Sequence, residues 1–500
     1  MGRSLFGKLH RRFGTRLSGA ERTRRAAEHH VRLRSAIPLD VLNASPSRGP
    51  SPGKVAIIGA GFAGCAAAQV AGLFGFDVTI YDPAGTPGGR VQSSTSVVPG
   101  RLLEIGAELI GLNHPAWIVY ARLYGFALSV VTPDDDYSAA LLNFPLILDG
   151  VSYNQAQQEL LYYEMKTIFD SWIKQSAVVT HPMAPWQTPN AAALDAKTLG
   201  AQIPLGTPTN VVRAIETEFE LNGTISIYQQ SWLANLAQFQ AGGGQGYFDD
   251  TEVFRCAAGN QQLAVRLLGD LPVNPQKVTR IDTANGVRLT FDGGGKAGPF
   301  DYVIVATSGA IWPSIRVDGG PFPYASIRSG PAIKYLAPVA TRFWIPEMLS
   351  PSGMSDTLGY TWEGTDNQTD TAAYNLTVFS GGSAAKHAID HAPSIDAYFA
   401  PLIAELYPGF STSGGTFENP CANPNIKTGY SCPGPGQVVG EQQSYAKPYN
   451  NCFFVAGEHT SPRWFGYMEG ALESGLVAAL RIAQSANVKL LPAWGGTTAL

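Results

Sequence analysis

The chain is short of charge and of cysteine, and it has no long apolar run. Asp, Glu, Lys and Arg make up 15% of its 500 residues, against the usual quarter, which suits a large protein with much buried surface. Its five cysteines, Cys65, Cys256, Cys421, Cys432 and Cys452, include no CxxC pair and no histidine at metal-ligand spacing. That argues against a zinc site or a disulfide framework, and no metal is expected. Cys421 and Cys432 could pair in an oxidising compartment, but the odd count and the apolar setting of Cys65 favour free thiols. No stretch is long and apolar enough to span a bilayer. There is no internal repeat and no serine or cysteine triad pattern.

Glycine and proline, by contrast, are plentiful, at 55 and 35. The length exceeds one ordinary core and calls for two domains. The most informative glycines lie in Val55-Ala-Ile-Ile-Gly59-Ala-Gly61-Phe-Ala-Gly64, where an apolar strand turns sharply into a helix of small residues. Gly59 permits the turn, Gly61 lets a pyrophosphate approach the backbone, and Gly64 lets helix and strand pack closely. In a glycine-rich chain such a match alone is as readily a bland turn. A second strand, Asp77 to Asp82, raises it above that. Asp82 stands about twenty residues after the glycines, where a carboxylate accepts the ribose hydroxyls of a dinucleotide. Just beyond, Pro87-Gly88-Gly89-Arg90-Val91 offers a second pyrophosphate clamp, with Arg90 able to give paired hydrogen bonds. The plainer alternative is a surface turn with a solvated arginine.

From this point the chain resembles the flavin-dependent amine oxidase family, which includes monoamine, polyamine and L-amino-acid oxidases. The resemblance runs in patches from about residue 54 to 485. Leu103 to Glu108 resembles the segment beside the flavin ring, and Lys277-Val278-Thr279-Arg280-Ile281 the strand whose valine backbone holds the adenine. Tyr302 to Thr307 resembles the strand that closes the domain. Phe454 to Thr460 and Trp464 to Ala471 match the family's most diagnostic block. The resemblance implies that Gly89 and Arg90 touch the FAD phosphates, that Gly457 and Glu458 meet the ribityl chain, and that a helix starting at Met468 points its amides at the flavin. It also implies an α/β fold, with a discontinuous Rossmann-like FAD domain and a mixed α+β substrate domain. The FAD domain is expected at 51–130, 250–320 and 440–490, and the substrate domain at 131–249 and 321–439. A basic arm, 1–50, and a tail, 491–500, complete the chain. Within the substrate domain, Pro185 to Pro189 followed by Leu194-Asp195 reads as a turn and a helix start, with helices around Asn210–Leu221 and Ser394–Leu406.

Four residues are expected to carry chemistry. Lys334 lies in the apolar Ala332 to Leu336, and such a lysine either snorkels to the surface or is held inside for a purpose. Its spacing to Phe343-Trp344 resembles that of the family lysine that holds a water against the flavin. Tyr467 and Tyr430 fall on or near the two positions of an aromatic cage around the substrate amine, although core packing is the default for an aromatic residue. Glu108 either draws a cationic substrate group or caps a turn. Leu109 stands where many L-amino-acid oxidases carry a carboxylate-gripping arginine. Arg463 and Arg255 are alternatives that nothing in the sequence places. Thr428 and Gly429 occupy the region where some relatives attach flavin through cysteine, so non-covalent FAD is expected.

The overall pattern reads most like a bacterial L-amino-acid oxidase releasing keto acid, ammonia and hydrogen peroxide. The alternatives are a monoamine or polyamine oxidase, or a desaturase or monooxygenase of a larger metabolite. Partners are then an amine or amino acid and molecular oxygen, without nucleic acid, and a homodimer stays open. The first 34 residues hold ten Lys or Arg and two Glu, a net +8 within a chain of net −4. That arm is either a solvated helix or an electrostatic contact with a membrane surface, a partner or the acidic body. Arg11-Arg12-Phe13 resembles a twin-arginine signal without its hydrophobic segment, and cytoplasmic residence is the expectation.

Overall fold

The computed structural model describes residues 4–14, 39–44, 46–47, 49–131, 142–368 and 373–488. Most of the basic arm and the whole 491–500 tail lie outside these residues. The fold is mixed α/β. A five-stranded, all-parallel sheet runs in the order Phe453–Val455, Tyr302–Val305, Lys54–Ile58, Asp77–Tyr81, Val273–Asn274. Strands from both ends of the chain therefore share one sheet, each paired to Tyr302–Val305. The central strand, Val55 to Ile58, is buried on both faces, the pattern of a sheet covered by helices. One cover is the Phe62–Leu73 helix, and the Met468–Ser485 helix packs on it. Small residues allow the close packing. A Cβ on Gly64 would sit 1.9 Å from the Gly59 carbonyl oxygen, and Gly59 itself holds φ +106°.

A four-stranded sheet orders Lys296–Phe300, Val287–Phe291, Val278–Asp282 and Arg316–Val317. The largest sheet has seven strands, ordered Thr416–Glu418, Ala332–Val339, Tyr374–Gly381, Gly359–Glu363, Gly353–Ser355, Leu146–Leu148 and Val151–Ser152. Its Ala332–Val339 strand is buried almost throughout, and Thr416–Glu418 is an edge strand. The helices Thr209–Gly223 and Ile395–Leu406 fall where the sequence suggests. Near Pro185 the outcome differs. The helix is Ala191–Asp195, so Leu194-Asp195 ends it rather than starting it, because the three preceding alanines already favour helix.

The start of the arm is not solvated. Leu5–Phe13 is a helix with Leu5, Phe6 and Leu9 fully buried. Phe6 packs on Phe169 and Phe248, at ring-centroid distances of 4.5 and 5.3 Å. The Ser4 hydroxyl and the Phe6 amide both donate to Glu218, and Arg11 donates to the Asp249 carbonyl. Residues 4–14 thus pack on the body mainly through apolar side chains, which neither reading of the arm named.

Candidate active site

A cavity enclosing about 990 Å³ of space, its mouth included, opens between the glycine loop and the seven-stranded sheet. Gly61, Arg90 and Glu458 line it from one side, Lys334, Glu418 and Tyr430 from the other. At Gly61 a Cβ would meet nothing nearer than the Gly88 oxygen at 4.0 Å, so the backbone faces open space at the start of the Phe62–Leu73 helix, where amide donors favour an anion. Gly88, Gly457, Tyr467 and Met468 also line the cavity, the last two at the start of the second glycine-rich helix. Gly89 joins Gly88 to Arg90.

Arg90 donates to the Gly429 carbonyl at 2.7 Å and pairs with Glu458 at 2.9 Å. Glu458 also receives the Ser431 hydroxyl at 2.5 Å and the Gly466 amide at 2.7 Å. Burial would raise the Glu458 carboxyl, but Arg90 and these donors outweigh it and hold it below the ordinary carboxylate range. Asp82 lies outside the cavity wall, and its oxygens accept from the Ala60 and Ala84 amides, both at 2.9 Å, bracing the glycine turn. Val278 is buried opposite Phe291 in the four-stranded sheet. A shallow depression beside it runs between Pro83, Lys277 and Phe291.

Lys334 does not snorkel. Its ammonium, buried within the wall, donates to the Glu104 carbonyl at 2.8 Å and to Glu108 Oε2 at 2.6 Å, with the Trp362 ring centroid 5.5 Å away. Glu108 Oε1 accepts from Arg255 at 2.7 Å and from Trp362 Nε1 at 3.0 Å. Burial pushes the Glu108 carboxyl up, yet Lys334 and Arg255 together bring it below its usual value. Both Glu108 oxygens are thus engaged by the protein itself. Arg255 also pairs with Asp366, and Arg463 is fully buried against Glu473 at 2.9 Å. Neither arginine lines the cavity.

Tyr430 and Tyr467 both line the cavity. Their hydroxyls are tied back, Tyr430 donating to the Leu221 carbonyl at 3.1 Å and Tyr467 to the Tyr247 hydroxyl at 3.3 Å. The sequence reading missed Trp362 and Glu418. Trp362 is indistinguishable from a core aromatic until its indole is seen on Glu108. Glu418 belongs to a three-residue strand whose place depends on pairing with a distant one. Among the described residues no cluster of three or more metal-ligating side chains occurs, and no described helix is long and apolar enough to cross a membrane.

A family model for flavin-containing amine oxidoreductases matches residues 62–483. The chain belongs to this family. A nicotine dehydrogenase of Pseudomonas putida (strain DSM 28022 / S16) is 25% identical over 468 residues, covering 88% of this chain and 90% of that protein. Among solved structures, putrescine oxidase bound to putrescine superposes with a TM-score of 0.73 at 19% identity, over 86% of this chain and 99% of that one. Cyclohexylamine oxidase from Brevibacterium oxydans IH-35A gives 0.72 at 22% identity, over 87% and 99%. The likeness to the two structures is one of fold. Membership in the family makes the protein a flavin-dependent amine oxidoreductase acting on a small-molecule amine.

Proposed function

We propose that the protein holds FAD without a covalent bond and oxidises a small amine that has no carboxylate beside the reacting carbon, with dioxygen as acceptor. One observation carries the choice of amine over amino acid. Among the described residues lining the cavity, the cationic side chains are Arg90 and Lys334, and each is committed to a carboxylate of the wall, Glu458 and Glu108. An amino acid's carboxylate would enter beside three glutamates with no uncommitted cation to meet it, and an unpaired buried charge costs several kcal/mol. The names of the three similar proteins, all of which handle amines, agree with this reading.

The wall suits FAD. The open backbone at Gly61 and the adjoining helix start fit a pyrophosphate, Arg90 and Glu458 stand at the junction of the two glycine signals, and Val278 lies by the depression suited to an adenine. The bound flavin supplies a two-electron acceptor for the hydrogen on the amine-bearing carbon. The protein's own part is to prepare the amine. Tyr430 and Tyr467 present flat, water-excluding faces, and desolvation between them favours the neutral amine over the ammonium. Lys334, fixed by Glu104 and Glu108, keeps a positive charge at the wall, which lowers the cost of moving electrons onto dioxygen. None of the five cysteines lines the cavity, which favours a cofactor that denaturation releases in yellow form.

The test offers the holoprotein putrescine, cyclohexylamine, nicotine and the standard amino acids in air while peroxide is measured. Peroxide from an amine is expected; peroxide from amino acids alone would overturn the choice of substrate. The relative's name as a dehydrogenase supports a second reading, in which another acceptor takes the electrons. Flavin that is bleached by an amine and recolours in air only with an added electron acceptor would favour it.

A further inference from the structure

Charge pairing in the cavity leaves one member over. Of the wall's three carboxylates, Glu458 is paired with Arg90 and Glu108 with Lys334. The third, Glu418, lines the same cavity, yet among the described residues no hydrogen bond or ion pair reaches its carboxylate. It sits on the edge strand Thr416–Glu418, directly opposite Lys334 in the antiparallel ladder. Residues so paired leave the same face of a sheet with Cβ atoms about 5 Å apart. Lys334 is nevertheless turned inward to Glu104 and Glu108. The result is a half-buried carboxylate at the cavity wall with no cation of its own, while part of its surface still meets water.

We propose that Glu418 receives the ammonium of the incoming substrate and takes its proton, delivering the neutral amine to the space between Tyr430 and Tyr467. An N–H bond breaks, its electron pair stays on nitrogen as the lone pair, and an O–H bond forms on Glu418. Ammonium and carboxylate become amine and carboxylic acid, no oxidant or reductant takes part, and the proton leaves through the exposed side of Glu418. Burial raises this carboxyl, against an opposing pull from Lys334 across the ladder, which brings it nearer to what a proton acceptor at neutral pH needs. The neighbouring strand carries Lys334, whose ammonium is turned away to Glu108, and the other titratable groups on this side are Cys421, on the turn that follows, and Arg90, whose charge reaches Cys421. This inference deepens the amine-oxidising reading of the cavity and rests on it.

The experiment uses tert-butylamine, which has no hydrogen on the amine-bearing carbon and so binds without reacting, with tert-butanol as its neutral isostere. Binding is read from the visible spectrum of the holoprotein. Glu418→Gln is expected to weaken tert-butylamine about tenfold, the size of one charge-assisted hydrogen bond, while changing tert-butanol by less than about twofold. Glu418→Asp should fall between. In anaerobic reduction by cyclohexylamine the wild type should show an acid limb set by the Glu418 carboxyl, and Glu418→Gln should move that limb to higher pH, where the free ammonium itself loses its proton. Equal tert-butylamine binding in wild type and Glu418→Gln, or an acid limb at the same pH in both, would overturn the proposal. If Glu418→Gln cannot hold FAD, the wild type decides alone: its tert-butylamine affinity should fall as acid protonates the carboxyl, and a flat profile sinks the idea. Should cyclohexylamine fail to bleach the wild type while tert-butylamine binds as described, the fault lies in the oxidase reading and not in Glu418.

Discussion

At the scale of single residues, the site is a set of buried charges that satisfy one another. Lys334→Met should slow reoxidation of the reduced flavin in air by at least about tenfold, since a fixed charge near the reacting atoms is removed. FAD content should be unaffected. Stopped-flow mixing of reduced protein with oxygenated buffer reads this directly, and an unchanged rate would strip Lys334 of its role. The buried pair Arg463–Glu473 is not among the residues lining the cavity, so Glu473→Ala should act on stability alone. An orphaned buried arginine costs about 3–5 kcal/mol, measurable by denaturant unfolding. Legibility at this scale follows distance in the chain. Gly59, Gly61 and Gly64 could be read because one local turn needs all three. That Arg255 and Arg463 serve glutamates and not a substrate could not be read, because their partners Glu108 and Asp366, or the depth of Glu473, emerge only from packing.

At the scale of elements, the strands and helices that carry the site were visible wherever a periodic pattern coincided with a glycine or proline stop. The Val55 strand, the Phe62 helix and the strand bearing Lys334 meet that condition, whereas the Met468 helix was implied by the family resemblance. The edge strand with Glu418 does not: three residues give no period, and its facing is set by register with Lys334, more than eighty positions earlier. The first helix was hidden for another reason. Leu5, Phe6 and Leu9 form an apolar stripe, but the surrounding basic residues dominate the composition, so the segment reads as solvated. Its burial has a measurable consequence. Phe6 lies wholly inside an aromatic cluster with Phe169 and Phe248, and Phe6→Ala should cost about 3–5 kcal/mol. A melting temperature equal to the wild type would mean that this helix is not docked.

At the scale of the whole molecule, the cavity needs both ends of the chain, since Phe453–Val455 pairs with Tyr302–Val305 and the Met468–Ser485 helix packs on Phe62–Leu73. The same burial that builds it stores protons. Burial pushes Glu104 and Glu218 up to about 7 and Glu469 up to about 8, from an ordinary 4.5. These carboxyls keep protons in the native state that the unfolded chain has released, so their contribution is complete below the ordinary value and is lost as pH rises through the raised ones. His459, lowered by burial from 6.5 to about 4, works in the opposite sense, but only below 6.5. The melting temperature of the holoprotein should therefore fall between about pH 6.5 and pH 8, and Glu469→Gln should flatten the upper part of that slope. A melting temperature that rises over this window would contradict the assignment.

The central claim is that one flavin cavity, with its cations already spoken for, accepts amines and refuses their carboxylated counterparts. Anaerobic titration of the yellow holoprotein with matched pairs, putrescine against ornithine and phenethylamine against phenylalanine, tests it most directly because the members of each pair differ by a carboxylate alone. The expected result is stoichiometric bleaching by the amine of at least one pair and none by its amino acid. Bleaching by the amino acids with the amines inert, or a purified protein that stays colourless when given FAD, would contradict it.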